Sequence, residues 1–176
     1  MRVAGKPSLE RIGWYDGERR LLRPLFAEAE DSDDLLDAYI EEGRVLVAQA
    51  GDRVVGHLQL VGAGGAPGDG VDRTDRTVEL KNMAVVDDLR GRGVGRRLVE
   101  HAIAVSCHDG WAHMGVATAA ADVGNLRFYQ RCGFRLSRVE RDAFLTDDGY
   151  EAGLVIDGIP LRDRVWFSLD LAARRP

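Results

Sequence analysis

Lysine is nearly absent from this chain. It occurs only at Lys6 and Lys81, and the other basic residues are arginines set among 29 acids, for a net charge of −5. With the arginines interspersed among acids, that balance argues against an exposed basic face that could neutralise a run of phosphates, so no nucleic-acid partner is expected. Cysteine is equally scarce. Cys107 and Cys132 belong to no Cys-x-x-Cys pair and no Cys/His cluster, and they read as small buried residues rather than a disulfide or a metal site. His57, His101, His108 and His113 are scattered without ligand spacing; His57, with no acid beside it, reads as structural. No apolar run is long enough to cross a bilayer, and the opening MRVAGKPSLERIGWYDGERR has no apolar signal core. The expectation is a cytoplasmic protein with no metal and no membrane partner.

What is present is enough apolar residue for one core: 45% of 176 residues, an ordinary size for a single domain spanning 1–176. The stretch from Val78 to Val105 organises the rest. Thr77 to Val86 alternates as a strand, with Val78, Leu80, Ala84 and Val86 facing one way and Glu79, Lys81, Met83 and Val85 the other. A glycine- and arginine-rich turn follows, and Val94, Leu98, Ala102, Ile103 and Val105 then recur at helical spacing. A helix start carries unpaired N–H groups and partial positive charge, so it suits a phosphate. Gly91, Gly93 and Gly95 let the backbone curl round an anion, and Arg90, Arg92, Arg96 and Arg97 add charge suited to a polyphosphate. The spacing matches neither the triphosphate loop, which needs a Lys-Ser or Lys-Thr, nor the dinucleotide fingerprint.

Arg90-x-x-Gly93-x-Gly95, preceded by Asn82-Met83-Ala84-Val85-Val86, resembles the acetyl-CoA pyrophosphate loop of the GNAT superfamily of N-acetyltransferases. A second segment, Asn125-Leu126-Arg127-Phe128-Tyr129-Gln130-Arg131-Cys132-Gly133-Phe134, is similar to that family's Asn-x-x-x-Tyr-x-x-x-Gly-Phe stretch, and the likeness runs from about Arg44 to Phe134. It implies an α/β fold: a mixed, mostly antiparallel twisted sheet with helices on both faces and a central βαβ acetyl-CoA-binding unit.

The remaining pattern suits such a sheet. Leu9 to Tyr15 reads as a short first strand, Glu18 to Glu30 as a helix with Pro24 in its first turn, and Ser32 as the cap of a helix reaching Glu42. Val45 to Ala50 and Val54 to Val61 form a hairpin across Gly51-Asp52. Gly62 to Arg76 is a loop whose Asp69, Asp72 and Asp75 either attract a cationic amine or are simply solvated. His113 to Thr118 pairs parallel to the organising strand, Asp122 caps a helix ended by Gly133, Phe134 to Val139 begins a further strand, and Val165 to Leu171 carries the last.

The resemblance also implies a chemistry. Acetyl-CoA is the acyl donor and a primary amine of a small molecule or peptide the acceptor, with direct transfer between them. Glu79 would take the amine's proton directly or through a water, its alternative being an ordinary salt-bridged strand residue. Tyr129 would protonate the departing thiolate, its alternative being core packing with Leu126 and Cys132. Backbone N–H groups near Met83, Ala84 and Val85 would polarise the thioester carbonyl if the strand splays or bulges there. The cofactor-binding set is Met83, Ala84, Val85, Arg90, Gly91, Arg92, Gly93, Val94, Gly95, Arg96, Asn125 and Phe128. Substrate-side structure is expected between Asp147 and Leu161, which includes Tyr150, Glu151 and Asp157. A homodimer is compatible with the resemblance. The rival readings are a non-catalytic acyl-CoA sensor and an interaction domain in which the glycine loop is only a turn.

Overall fold

The hairpin across Gly51-Asp52 seeds the sheet. In a computed structural model that describes residues 11–62, 76–144, 150 and 153–174, β2 (Arg44–Ala50) and β3 (Arg53–Gly62) pair antiparallel with Ala50 opposite Arg53, and Gly51 makes the turn at φ 60°. The first strand is β1 (Arg11–Trp14), which adds to β2 antiparallel; Leu9 and Glu10 of the expected segment lie outside the described residues.

Between them Pro24 acts as expected. A short 3-10 turn, Arg19–Leu22, leads into α1 (Arg23–Ala27) with Pro24 in its first turn, where a missing N–H costs nothing. Then comes α2 (Asp33–Tyr39), capped by the Ser32 hydroxyl accepting from Leu35 N–H at 3.4 Å, with Asp33 and Asp34 at the positive end. This helix stops at Tyr39, short of Glu42, because Gly43 turns left-handed at φ 57° and the Arg19 guanidinium donates to the carbonyls of Ile40, Glu42 and Gly43. Ser32→Ala should cost about 1 kcal/mol of stability in urea unfolding.

The organising strand is β4 (Thr77–Val85), antiparallel to β3 and parallel to β5 (His113–Ala119). Its crossover is α3 (Val94–His108), which buries Val94, Leu98, Val99 and Ala102 against the sheet. Asp122 caps α4 (Val123–Arg131) by accepting from Asn125 N–H at 2.8 Å, and Gly133, at φ 94°, releases the chain into β6 (Arg135–Glu140). A small hairpin of β7 (Val155–Ile156) and β8 (Ile159–Pro160) precedes β9 (Arg164–Asp170). The last strand inserts between β5 and β6, giving a seven-stranded sheet in the order β1-β2-β3-β4-β5-β9-β6. Among the described residues β4 with β5 is the parallel pair, and every other ladder is antiparallel.

One expectation fails within β4. Gln59 pairs with Asn82 while Leu60 pairs with Leu80, so Lys81 is an extra residue, a bulge. It inverts the alternation. Val78 and Leu80, then Met83 and Val85, face the core under α3, whereas Glu79, Asn82 and Ala84 face the side covered by α1 and α2. Glu79 therefore does not share a face with Met83 and Val85, because a one-residue insertion shifts a period-two pattern by half a period.

Candidate active site

The ladder between β4 and β5 ends early. It runs from Thr77 opposite His113 to Leu80 opposite Val116, yet β4 continues to Val85 and β5 to Ala119. From Lys81 onward the edge of β4 has no β5 partner, so the strands part into a wedge. The sequence expectation set the irregularity at Met83 to Val85. In the structure the bulge sits at Lys81, just before the point of parting, and Met83, Ala84 and Val85 form the free edge beyond it.

At the wide end of the wedge lies the glycine loop. Gly91 and Gly93 hold φ 70° and 82°, a conformation that strains any other residue, and nothing lies within 4 Å of where their side chains would begin. Among the described residues no acceptor pairs with the N–H groups of Gly91, Gly93, Val94, Gly95 or Arg96. Such a row of free donors on an αL turn and a helix start is a nest for an anion. Gly95 completes the passage. A Cβ there would lie 3.6 Å from Phe128 and 3.7 Å from Val85, so loop, strand end and α4 converge on this point.

The arginines divide the work. Arg90 Nε donates to the Val85 carbonyl at 3.0 Å, and its other nitrogens pair with Glu28 at 3.0 Å and Asp87 at 2.8 Å. Its guanidinium thus ties the loop to the end of β4 and to the chain after α1. Arg96 pairs with Glu100 one turn on at 2.8 Å, and both are exposed. Arg92 forms no ion pair among the described residues and stands exposed beside the loop.

Asn125 Nδ2 lies 3.4 Å from Thr118 Oγ1, joining α4 to the far end of β5. Beside it Tyr129 is buried, its ring edge-on to Phe128 at 5.2 Å and to Phe134 at 5.8 Å, with Phe167 at 6.0 Å. Burial raises the Tyr129 phenol above its ordinary value, so it stays protonated at neutral pH. Leu126 and Cys132, suggested by helical spacing, pack against the same core cluster, and Phe128, Phe134 and Phe167 supply the ring contacts. Glu79 lies on the opposite face of the sheet, paired with Lys81 at 3.6 Å. Across the parallel ladder it neighbours Gly115, where an added Cβ would be in ordinary contact with the Phe167 carbonyl at 3.9 Å and the Thr77 methyl at 4.0 Å.

A family model described as "Acetyltransferase (GNAT) domain" matches residues 41–136, more than half of the chain. The chain belongs to the GNAT acetyltransferase family. Bacillus subtilis (strain 168) has a relative, the uncharacterized N-acetyltransferase YvbK, that is 33% identical over 150 residues, covering 85% of this chain and 89% of its own. A Bacillus subtilis acetyltransferase solved in complex with CoA is 31% identical with a TM-score of 0.78, over 91% of this chain and 97% of that one. An Elizabethkingia anophelis GNAT acetyltransferase with acetyl-CoA bound has the same fold at 22% identity and a TM-score of 0.77, over 91% and 97%.

This GNAT sheet also holds a buried polar network that sequence spacing did not reveal. Asn82 Nδ2 donates to the Phe26 carbonyl at 3.2 Å and to Tyr39 Oη at 2.8 Å, leaving Asn82 Oδ1 to accept from His57 Nε2 at 2.8 Å. Tyr39 O–H in turn donates to Glu30 Oε2 at 3.2 Å. Gln59, opposite the bulge, donates to the carbonyls of Tyr39 and Glu42 at 2.8 and 2.9 Å. The signal was three polar side chains inside apolar strands, at His57, Gln59 and Asn82. Together they pin α2 to the sheet on either side of Lys81, which holds the bulge and so the parting of β4 from β5.

His57 is the titrating member. It is fully buried, stacked on Phe26 at 4.1 Å, and burial lowers its value from 6.5 to about 4. The folded state thus binds fewer protons than the unfolded one as pH falls between those values. Stability from this group is complete above about 6.5 and declines by about 3 kcal/mol on acidification to about 4. Urea unfolding across that range should show the decline in the native protein and not in His57→Gln, which keeps an N–H for Asn82 but does not titrate. A parallel decline in both proteins would remove His57 as the cause.

Among the described residues no helix is long and apolar enough to cross a membrane, and no group of His, Cys, Asp and Glu is arranged to hold a metal. Asp69, Asp72, Asp75 and Glu151 lie outside the described residues.

Proposed function

We propose that this chain transfers the acetyl group of acetyl-CoA directly to a primary amine of a small molecule or peptide. The observation that carries the reading is the wedge between β4 and β5 ending on the free N–H groups of Gly91 to Arg96. A pyrophosphate fits that nest, and the pantetheine arm, an extended chain with two amides, fits the unpaired edge of β4 as a strand-like partner. The thioester would then lie near the point of parting, with backbone donors of the Met83 to Val85 edge available for the developing oxyanion.

The side chains supply the proton movements. Glu79, opposite Gly115 of β5, takes a proton from the attacking amine, directly or through a water. As the carbon–sulfur bond breaks, the Tyr129 phenol gives its proton to the thiolate and recovers one from solvent. Asn125 and Phe128 hold α4 against the wedge, Arg90 fixes the loop, and Arg92 with Arg96 supplies charge at its rim. Most of the acceleration comes from alignment of amine and thioester. The reading takes the reaction to be cytoplasmic, as the composition suggests.

Calorimetric titration of acetyl-CoA into the protein, followed by a thiol-release screen over a panel of amines, tests the reading. Saturable binding with turnover of an amine is expected. Binding without turnover would favour a sensor of acyl-CoA, and absence of binding would leave the glycine loop as a turn in an interaction domain.

A further inference from the structure

Glu30 is the carboxylate that the mechanism above leaves unused. It sits between α1 and α2, half-buried, with Oε1 accepting from Ser32 N–H at 3.2 Å and Oε2 from Tyr39 O–H at 3.2 Å. Both oxygens are thus fixed in place by neutral donors, and each keeps a further lone pair. By contrast, Glu79 pairs with Lys81 and Glu28 with Arg90. Glu30 has no ion-pair partner among the described residues. Burial, the largest cause, raises its carboxyl above the ordinary value. The Lys81 ammonium offsets part of this, but it lies outside ion-pair distance, and a held, half-buried carboxylate with no cation in direct contact is costly for a fold and useful for a ligand.

Its surroundings suit an ammonium. Lys81, at the bulge, places its own ammonium 5.2 Å from the Tyr39 ring centroid, and that Tyr39 hydroxyl is the Glu30 donor. The same Lys81 reaches Glu79 on the other side. The Tyr150 phenol is raised by burial first and by the Glu30 charge second. The α1/α2 side of the sheet therefore carries two carboxylates, Glu79 and Glu30, that share the one ammonium of Lys81, which leaves a surplus negative charge. A carboxylate that held the reacting nitrogen as an ammonium would oppose attack, because the nucleophile must be neutral. A surplus negative charge is better spent on a nitrogen that stays charged.

Resting on the acetyltransferase reading, we propose that Glu30 and Tyr39 form a subsite for a second cationic group of the acceptor, so that the substrate class is an amine with another basic nitrogen. The test compares 1,4-diaminobutane with n-butylamine as acceptors, in the native protein and in Glu30→Gln, with thermal unfolding and acetyl-CoA titration as checks on folding. The native protein should favour the diamine by about tenfold or more in kcat/KM, the scale of a charge-assisted hydrogen bond, and Glu30→Gln should reduce the ratio toward one. Tyr39→Phe should reduce it in part by freeing the carboxylate to rotate. Turnover with no diamine preference, or a preference retained in Glu30→Gln, overturns the subsite and leaves the acetyltransferase reading standing. If neither amine turns over, calorimetry of 1,4-diaminobutane into the CoA-loaded protein decides the subsite separately: binding lost in Glu30→Gln supports it, and no binding to the native protein overturns it.

Discussion

Gly93→Glu should abolish measurable acetyl-CoA binding, a loss of about 1,000-fold or more, while leaving the protein folded. Two effects combine at this position. Gly93 sits at φ 82° as the residue before α3, where any side chain costs about 1 kcal/mol of backbone strain. The larger effect is electrostatic. No heavy atom lies within 4 Å of where the side chain would begin, so the new carboxylate would have room beside the free N–H groups of Gly91, Gly93, Val94, Gly95 and Arg96 and would occupy or repel from the nest they form. Those donors would then be satisfied internally, and a pyrophosphate would meet like charge in place of them. Gly93→Ala separates the contributions, because it carries the strain without the charge and should weaken binding by about tenfold or less. Calorimetry on the three proteins measures both steps. Retained affinity in Gly93→Glu would remove the loop from the phosphate site.

The glycine loop and the helix after it were legible because their geometry is local. Glycines that need positive φ, a helix that starts after them and a strand that delivers the chain are all neighbours in sequence, and each leaves a mark in residue type. The same holds for the caps at Ser32 and Asp122 and for the hairpin at Gly51. What failed to show was whatever depends on two distant segments meeting. The bulge at Lys81 exists because Gln59 and Asn82 from adjacent strands both reach α2, through the Tyr39 and Glu42 carbonyls and the Tyr39 hydroxyl. No period within β4 announces it, and a strict alternation therefore put Glu79 on the wrong face. Arg90 is a related case. Its place in the motif suggested charge for a phosphate, but Glu28, far away in sequence, takes part of its guanidinium. The insertion of β9 between β5 and β6 is likewise a matter of topology, which alternating residues in Val165 to Leu171 could not disclose.

Glu79→Gln and Tyr129→Phe carry the other large expected effect, because they test proton transfer separately from binding. Under the proposed mechanism each should lower kcat by about 100-fold or more with acetyl-CoA affinity unchanged. The two residues stand on opposite sides of the sheet. Glu79 belongs to the α1/α2 side with Lys81 at 3.6 Å, and Tyr129 to the core under α3 and α4, among Phe128, Phe134 and Phe167. The thioester has to lie between them, in the wedge where β4 leaves β5, with the amine arriving from one face and the thiolate departing toward the other. Tyr129→Phe keeps the ring and its packing, so a fall in kcat with unchanged thermal stability would belong to the hydroxyl. The pH profile adds a sign. A phenol raised by burial stays protonated well above neutral pH, so loss of the acid form should not limit the native rate anywhere near neutrality. A Tyr129→Phe protein at full rate would return this residue to the core. A Glu79→Gln protein at full rate would leave the carboxylate as a partner of Lys81 alone, and proton removal from the amine would then fall to water in the wedge.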